Sequence, residues 1–266
     1  MNAEKTDQGR SCKPFKFDLA LSVLSAFICV LLLCAVCPAQ IHPHSFSPRQ
    51  LGIMQAWYRA DAITALADGD PVASWVDSTA NARTLAQSTA NYRPAYKVSI
   101  QNGRPAIRFD GSNDCLTGAA QGSATFTIFS VQRLASFLAT AAVYASAVEY
   151  MNWVLSAWSS TVMYAHFFGS GGWFSMAGGS DFLIPGVWTS RVDGVNGGSW
   201  VNGVLTSLVP QNGNVPNSSS LIYVGCWSAN FRIWNGDIFE LAFFAEALSD
   251  RDRQRVERYL LRKWGL

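Results

Sequence analysis

The sequence predicts an all-β protein, a two-sheet antiparallel sandwich that ends in one α-helix. Short runs rich in aromatic and β-branched residues recur from about residue 54 to residue 236, separated by Gly, Asn, Asp, Pro and Ser. The long amphipathic crossovers that a parallel sheet requires do not occur between these runs. Helical periodicity is found only near the C-terminus.

The composition limits the possible classes of protein. A chain of 266 residues can form one large sandwich or barrel, or two small domains. Only 14% of the residues are charged, compared with about 25% in an average soluble domain. Disorder and coiled coil are therefore excluded. A net charge of +2 gives no basic face of the kind that nucleic-acid binding requires, so no nucleic-acid partner is predicted.

Residues 1–39 are predicted to be a leader. Lys13 and Lys16 precede an apolar run over residues 19–36, and small residues at Ala35 and Ala39 suit cleavage by signal peptidase. The run of 18 residues is at the lower limit for spanning a bilayer, so an uncleaved signal anchor is the alternative. Either interpretation predicts a secreted or cell-surface protein, with membrane contact only through this segment.

The cysteines divide between the leader and the rest of the chain. Four of the six lie before residue 40, where acylation of Cys34 or Cys37 is a further alternative. Cys115 and Cys226 remain, without the spacing of a metal cluster. In an oxidising compartment they can form a disulfide, or each can be buried as a free thiol. The sequence leaves both possibilities open.

Residues 40–53 are interpreted as a linker and residues 54–266 as the folded domain. Asn202 and Gly203 favour a type I′ turn between Val201 and Val204, which predicts a hairpin. Further strands are predicted at Ala106–Asp110, Thr125–Arg133, Gly186–Asp193, Ser199–Val201, Leu221–Cys226 and Asp237–Phe244.

A helix is predicted over residues 249–264. Ser249 followed by Asp252 fits a capping box. One apolar stripe at helical spacing is expected to pack on the sandwich, and it consists of Leu248, Val256, Tyr259, Leu260 and Trp264.

Four stretches resemble the concanavalin A-like lectin/glucanase superfamily, specifically its laminin-G-like domains. These stretches are WYRAD (57–61) with GDPVASWVD (69–77), NGRPAIRFDGSNDCLT (102–117), TFTIFSVQR (125–133) and the C-terminal segment from NGDIFEL (235–241) to KWGL (263–266). The resemblance implies a jelly roll, usually without catalysis, that occurs in exported proteins and binds glycans or proteins. It also implies a structural role for Glu240.

The sequence contains no recognisable catalytic motif, so it does not predict an enzyme. Glycosidases of this superfamily place paired carboxylates on one face of a strand, as in Glu-x-Asp-x-x-Glu, and no such string occurs. Asp237 and Glu240 come nearest, but a separation of three is expected to point them to opposite faces of a strand. His166 is the only histidine of the predicted domain, and we expect it to be a packed strand residue.

Aromatic residues in predicted loops favour carbohydrate binding. A rigid indole can cover the apolar face of a sugar while amides or charged groups bind its hydroxyls. Trp158 and Trp173 are two candidates. The segment from Gly225 to Gly236 is favoured most, and it contributes Trp227, Asn230, Arg232, Trp234 and Asn235.

Calcium is the one cofactor for which the sequence offers candidates. The turn after the predicted strand at 106–110 contains Asp110, Asn113 and Asp114, whose oxygens are ligands that calcium prefers, and the resemblance implies calcium near a rim. The alternative is ordinary turn capping by the same side chains.

The predicted function is a non-catalytic, exported carbohydrate-binding or adhesion module, with a glycan or a surface protein as partner. One alternative is a structural jelly roll that mediates protein–protein contacts in a surface assembly. The other is a glycoside hydrolase with an unrecognised set of residues. Fold alone does not choose among these three, since function depends on the chemistry of the site.

Overall fold

Two antiparallel sheets face each other in the computed structural model, which describes residues 46–119, 123–146, 153–213, 221–228 and 231–266. The predicted leader (1–39) and the first part of the predicted linker lie outside these residues. The described part falls within one unit, Phe46–Leu266. Its strands are β1 (Met54–Arg59), β2 (Ser74–Trp75), β3 (Leu85–Ala86), β4 (Ala95–Gln101), β5 (Arg104–Asp110), β6 (Leu116–Ala119), β7 (Phe126–Leu134), β8 (Ala141–Ser146), β9 (Trp153–Ala157), β10 (Val162–Gly169), β11 (Gly172–Gly179), β12 (Gly186–Val192), β13 (Asn196–Val201), β14 (Val204–Pro210), β15 (Leu221–Val224) and β16 (Asn235–Phe244).

The two sheets have different strand orders. Sheet A runs β14-β13-β12-β7-β16-β5-β4, and β1 also pairs with β16. Sheet B runs β11-β10-β9-β8-β15-β6-β3-β2. Neighbouring strands are antiparallel throughout. The predicted fold class, a two-sheet antiparallel sandwich with a C-terminal helix, is confirmed.

The main core lies between the sheets. Alternate residues of each strand point inward, as the pleat requires, and large aromatic rings fill the space. Its fully buried members include Tyr58, Trp75, Phe109, Tyr144, Phe167, Trp188, Trp234 and Phe243. These rings hold the sheets together and leave the outer face of each sheet to be covered or exposed.

The predicted hairpin at residues 201–204 is confirmed. Asn202 and Gly203 have φ values of 51° and 82°, the positive values that a type I′ turn needs. Val201 pairs with Val204 across the turn.

Helix α1 (Asp250–Trp264) covers the outer face of sheet A. Ser249 is its N-cap, and the Ser249 Oγ accepts a hydrogen bond of 3.1 Å from the Asp252 backbone N–H. Val256, Leu260 and Trp264 pack on Phe129 and other outward residues of sheet A, which confirms the predicted apolar stripe.

Glu240 joins α1 to sheet A. Its carboxylate accepts hydrogen bonds from Trp57 Nε1 at 2.6 Å and Trp264 Nε1 at 2.8 Å, and it pairs with Lys263 Nζ at 2.7 Å. Burial raises the pKa of Glu240, and the charge of Lys263 opposes that rise. The structural role implied for this glutamate is confirmed.

The expectation that Asp237 and Glu240 point to opposite faces of β16 is wrong. A β-bulge between Ile238 and Glu240 shifts the register, so both carboxylates lie on the outer face of sheet A. They still do not form a catalytic pair. Asp237 is buried and bonded to Arg108 and Arg133, while Glu240 is occupied by Lys263 and two indoles.

Residues 46–53 are not merely a linker. They contain a 3₁₀ helix, Pro48–Leu51, and Phe46, Leu51 and Ile53 pack against the cluster under α1. The other described 3₁₀ helices are Ala60–Ala62 and Ala90–Tyr92. In the described part of the chain, no helix is long and apolar enough to cross a membrane.

Cys115 and Cys226 form a disulfide, with Cα atoms 5.5 Å apart. It ties the start of β6 to the segment after β15, and both cysteines are buried. The sequence leaves open a disulfide or two buried free thiols, and the structure shows the disulfide.

Candidate functional site

The outer face of sheet B carries a row of aromatic side chains, and no helix of the described residues covers it. In β10 the residues alternate: Met163, Ala165 and Phe167 point into the core, so the residues between them point outward. We call the resulting surface the aromatic face. It consists of Trp158, Tyr164, His166, Phe168, Trp173 and Trp227, together with Arg232.

The rings of the aromatic face touch in sequence across β9, β10 and β11. Tyr164 and His166 stack with centroids 5.2 Å apart and an interplanar angle of 18°. Trp158 approaches both, at 5.8 Å from Tyr164 and 5.7 Å from His166. Trp173 meets His166 edge-on at 6.4 Å and Phe168 at 5.2 Å. With exposed fractions of 46% and 41%, Trp158 and Trp173 present indole surface to solvent at the two ends of this row.

Trp227 extends the aromatic face over β8 and β9. It packs on a small apolar cluster of Ala142, Ala145 and Val154, which point outward from these strands. The disulfide immediately precedes it at Cys226.

Gly225 brings this segment close to sheet A. It has φ of 79°, and a Cβ at this position would lie 2.0 Å from the Phe109 ring. Only glycine fits there. Trp227 is therefore held from two sides, by the close approach at Gly225 and by the cross-link at Cys226.

Arg232 lies among three aromatic rings. Its guanidinium carbon is 4.5 Å from the centroid of Trp227, 5.1 Å from Phe231 and 5.8 Å from Trp158. Its backbone has φ of 52°, a value that non-glycine residues seldom adopt. The Arg232 carbonyl accepts a hydrogen bond of 2.9 Å from Ala142 N–H, which fixes this conformation at the start of β8.

His166 is a neutral member of the aromatic face. Burial, and to a smaller extent the positive charge of Arg232, lower its pKa to about 4. Its Nδ1 is 2.7 Å from Ser175 Oγ, while its Nε2 is buried and has no partner among the described residues. None of the carboxylates in the described part of the chain bonds to the ring. These features agree with a packed strand residue, as predicted.

The structure brings together four of the predicted ligand-binding residues: Trp158, Trp173, Trp227 and Arg232. Trp173 lies within β11 and not in a loop, and the outward direction of that strand position exposes it. Asn230 lies outside the described residues. Sequence reasoning missed Tyr164 and Phe168, although large residues at both alternating sets of positions in 162–168 signal a strand with two apolar faces.

Two predicted ligand contacts are not on the aromatic face. The prediction for Trp234 is wrong, because its exposed fraction is 0% and its ring is part of the core between the sheets. Asn235 begins β16 opposite Asp110, and its Nδ2 donates a hydrogen bond of 2.7 Å to Ser136 Oγ. It therefore belongs to the turn region at the end of β5.

Two of the three candidate calcium ligands, Asp110 and Asp114, use their carboxylates for hydrogen bonds within the turn itself, and Asn113 contributes its backbone N–H to one of these bonds. Asp110 Oδ1 accepts hydrogen bonds from the backbone N–H groups of Ser112 and Asn113, at 2.7 and 3.2 Å. Asp114 Oδ2 accepts one from Asp110 N–H at 2.9 Å. Burial, and then the charge of Asp110, raise the pKa of Asp114 to about 6. Among the described residues, no three His, Cys, Asp or Glu side chains are grouped as metal ligands.

A groove of about 550 Å³ lies elsewhere, along residues 59–78. Its charged side chains, Asp77 and Arg59, form hydrogen bonds that stabilise the fold. Asp77 accepts hydrogen bonds from the backbone N–H groups of Trp57, Thr79 and Arg83, and Arg59 bonds Ser78 Oγ and stacks on Trp57. We therefore place the candidate site on the aromatic face.

Comparisons with known proteins identify the fold. No family model and no curated protein matches the sequence. The crystal structure of the botulinum neurotoxin serotype D binding domain matches with a TM-score of 0.60 and 11% identity, over 81% of this chain and 53% of that one. The binding domain of botulinum neurotoxin DC in complex with SialylT matches with a TM-score of 0.59 and 12% identity, over 80% and 52%.

A third match comes from another toxin. The binding domain of Paraclostridial Mosquitocidal Protein 1 has a TM-score of 0.57 and 11% identity, over 76% of this chain and 53% of that one. At such identities the likeness establishes a shared β-sandwich fold and nothing finer, so membership of the concanavalin A-like superfamily stays a prediction. The chain spans about half the length of these binding domains.

Proposed function

We propose that the protein is a non-catalytic carbohydrate-binding module and that the aromatic face is its binding surface. The observation that carries the proposal is the continuous row of rings from Trp173 to Trp158, exposed on a rigid sheet. Sugars present C–H groups on their ring faces, and exposed indoles bind such faces at little entropic cost.

Polar groups stand beside these rings. Ser175 and His166 form a hydrogen-bonded pair next to Trp173, and the Arg232 guanidinium lies near Trp158. A sugar stacked on either indole would have a hydrogen-bonding group within reach for its hydroxyls. Apolar rings with a few placed polar groups are typical of saccharide sites.

The structural matches support a binding role. The similar solved structures are binding domains, and one of them is a complex with SialylT. Those properties belong to those proteins, and we extend carbohydrate binding to this chain on the strength of its own aromatic face.

We also propose that the protein is exported, to the cell surface or beyond. The Cys115–Cys226 disulfide supports an oxidising compartment, and the predicted leader agrees with it.

A protein-interaction module is the second candidate. It is favoured by β14, the edge strand of sheet A, which exposes Val204, Leu205 and Leu208. An exposed edge with apolar side chains can pair with another chain.

A glycan-array screen of the purified protein, with and without calcium, tests the proposed function. We expect specific binding that is lost in Trp158→Ala and in Trp173→Ala. Phe137→Ala is the matched control, since Phe137 is an exposed aromatic residue in the β7–β8 loop and is not one of the residues that form the aromatic face. If the folded protein bound no glycan, or bound glycans equally well in all variants, the proposal would be overturned.

A further inference from the structure

Arg232 carries a positive charge that no described carboxylate neutralises. The ion pairs and side-chain hydrogen bonds of the described residues do not involve its guanidinium. The group is nevertheless partly buried, with aromatic rings on several sides. A guanidinium has five N–H donors, and here they are free to bind a ligand.

Three other cations next to indoles, Arg191, Arg253 and Lys263, have carboxylate partners. Arg59, next to Trp57, has none among the described residues, but its Nε donates a hydrogen bond of 3.1 Å to Ser78 Oγ. Arg253 lies 4.1 Å from the centroid of Trp200 and pairs with Glu257 at 2.7 Å. Lys263 lies 5.1 Å from the centroid of Trp264 and pairs with Glu240 at 2.7 Å. Both belong to the buried contact between α1 and sheet A. Arg232 has similar aromatic surroundings, but the described residues give its guanidinium neither a carboxylate nor a hydrogen-bond acceptor.

From this difference we infer that the glycan is acidic, and that Arg232 binds a carboxylate or sulfate group on it. The inference rests on the proposed function and adds the class of ligand. Guanidinium is planar and presents paired N–H donors that match the two oxygens of a carboxylate or sulfate. Rings around it exclude part of the water, which strengthens such a charge-assisted bond.

The position of Arg232 suits a ligand that also stacks on the aromatic face. Its guanidinium carbon is 5.8 Å from the Trp158 centroid, about the width of a sugar ring away. A saccharide lying on Trp158 can therefore direct an acidic substituent towards Arg232. The lowered pKa of His166, to which Arg232 contributes, shows that this positive charge acts on the centre of the aromatic face.

The backbone at Arg232 is consistent with a built site. A positive φ at a non-glycine residue costs free energy and is kept where surrounding contacts enforce it. Here the hydrogen bond to Ala142 and the packing of Trp227 under the guanidinium enforce it.

The test uses an array in which each acidic glycan stands beside its neutral parent, followed by calorimetry on one matched set: 3′-sialyllactose, 3′-sulfolactose and lactose. We expect the wild-type protein to bind acidic glycans at least about tenfold more tightly than their parents, since a charge-assisted pair is lost in the parent. The sialyl and sulfo compounds separate carboxylate from sulfate as the group that is bound. Binding of the acidic member should weaken as sodium chloride is raised.

Variants assign the effect to Arg232. In Arg232→Gln the ratio of acidic to neutral affinity should fall towards one, and in Arg232→Lys, which keeps the charge but not the planar group, it should be intermediate. Loss of packing alone would weaken both members of a pair equally and leave the ratio unchanged. The control is Arg258→Gln, because Arg258 is an exposed arginine on α1.

Each outcome is decisive. Equal binding of acidic glycans and their parents, or an unchanged ratio in Arg232→Gln, would overturn the inference and leave the proposed function standing. Binding of no glycan at all would overturn both. If Arg232→Gln does not fold, as judged by circular dichroism, Arg232→Lys supplies the ratio.

Discussion

The outer faces of the two sheets are built from similar residues but differ in what covers them. On sheet A, Trp57 and Trp200 are buried next to α1, and Trp264 of α1 is buried against the sheet. On sheet B, Trp158 and Trp173 are exposed. Tryptophan is used for internal packing on one face and left free for contact on the other.

The two faces also differ in whether the cationic side chains beside indoles have polar partners. On sheet A the cations beside indoles have a polar partner: Arg253 pairs with Glu257 and Lys263 with Glu240, and Arg59 donates a hydrogen bond to Ser78. On sheet B the corresponding cation, Arg232, has neither a carboxylate nor a side-chain hydrogen bond among the described residues. A cation that already has a partner is part of a structural contact, while a cation without one is available to a ligand. Indole–cation contacts therefore indicate binding only when the cation has no other partner.

The largest expected difference between the two faces is the loss of stability when a charged side chain is removed from each. We expect Glu240→Ala to lower the free energy of unfolding by about 3–5 kcal/mol, because it leaves two buried indole N–H groups without a partner and breaks the buried ion pair with Lys263, which then keeps only Asp61. Arg232→Ala should cost about 1 kcal/mol or less. Urea denaturation of both variants measures this. If Glu240→Ala and Arg232→Ala lowered the free energy of unfolding by similar amounts, the two faces would not differ in how they use charge.

The disulfide should contribute the next largest effect. Replacing Cys115 and Cys226 together by alanine opens a link between residues 111 positions apart and should lower the free energy of unfolding by about 2–4 kcal/mol. The same variant should weaken glycan binding, because Trp227 directly follows the cross-link. Chemical denaturation and the array screen give the two readouts. Unchanged stability would show that packing alone holds this segment.

Truncating an exposed indole should have a small effect on stability. Trp158→Ala removes edge contacts with Tyr164 and His166 and should cost about 1 kcal/mol, since aromatic pairs contribute about that much. Trp264→Ala, on the covered face, should cost about 3–5 kcal/mol because the ring is fully buried. Thermal unfolding compares the two. If Trp158→Ala destabilised the protein more than Trp264→Ala does, the aromatic face would be needed for stability rather than for binding.

The remaining expected effects depend on pH. His166 has a pKa of about 4 in the folded protein and 6.5 as its ordinary value, so between these pH values only the unfolded state takes up the proton. Its contribution to stability is therefore lost as pH falls from 6.5 to 4. In His166→Gln this loss, about 3 kcal/mol for a shift of this size, should disappear.

Asp114 provides a control of opposite sign. Its pKa is raised from 3.8 to about 6, so the folded state takes up the proton first as pH falls through 6. The ionised carboxylate thus lowers stability above pH 6, and Asp114→Asn should stabilise the protein there, with a difference that fades below pH 4. Denaturation midpoints between pH 4 and 7 measure both variants. Slopes of the same sign would refute the assignment.

Much of the fold was predictable from local patterns. Alternating apolar residues placed strands such as β7 and β12 within one or two residues, Asn202-Gly203 placed a hairpin, and Ser249 placed the start of α1. In these cases the deciding physics is local: side-chain period, turn angles and capping. Asp237 and Glu240 show where this fails, because a β-bulge changed the side-chain direction without a sequence signal.

The candidate site was predictable only in part. Trp158, Trp173, Trp227 and Arg232 were named from composition and neighbouring residues, and they meet on one face. Trp234, only seven positions after Trp227, is buried between the sheets.

The sequence by itself determined the class of the fold, the positions of many strands, the capped helix and a surplus of tryptophan. Only the tertiary structure decided which indoles are covered, that Cys115 meets Cys226, and that none of the described carboxylates pairs with Arg232. The physical reason is the distance along the chain over which each interaction acts. Periodicity and turn preference act between residues close in the chain, whereas burial, cross-linking and charge neutralisation depend on which distant strands become neighbours.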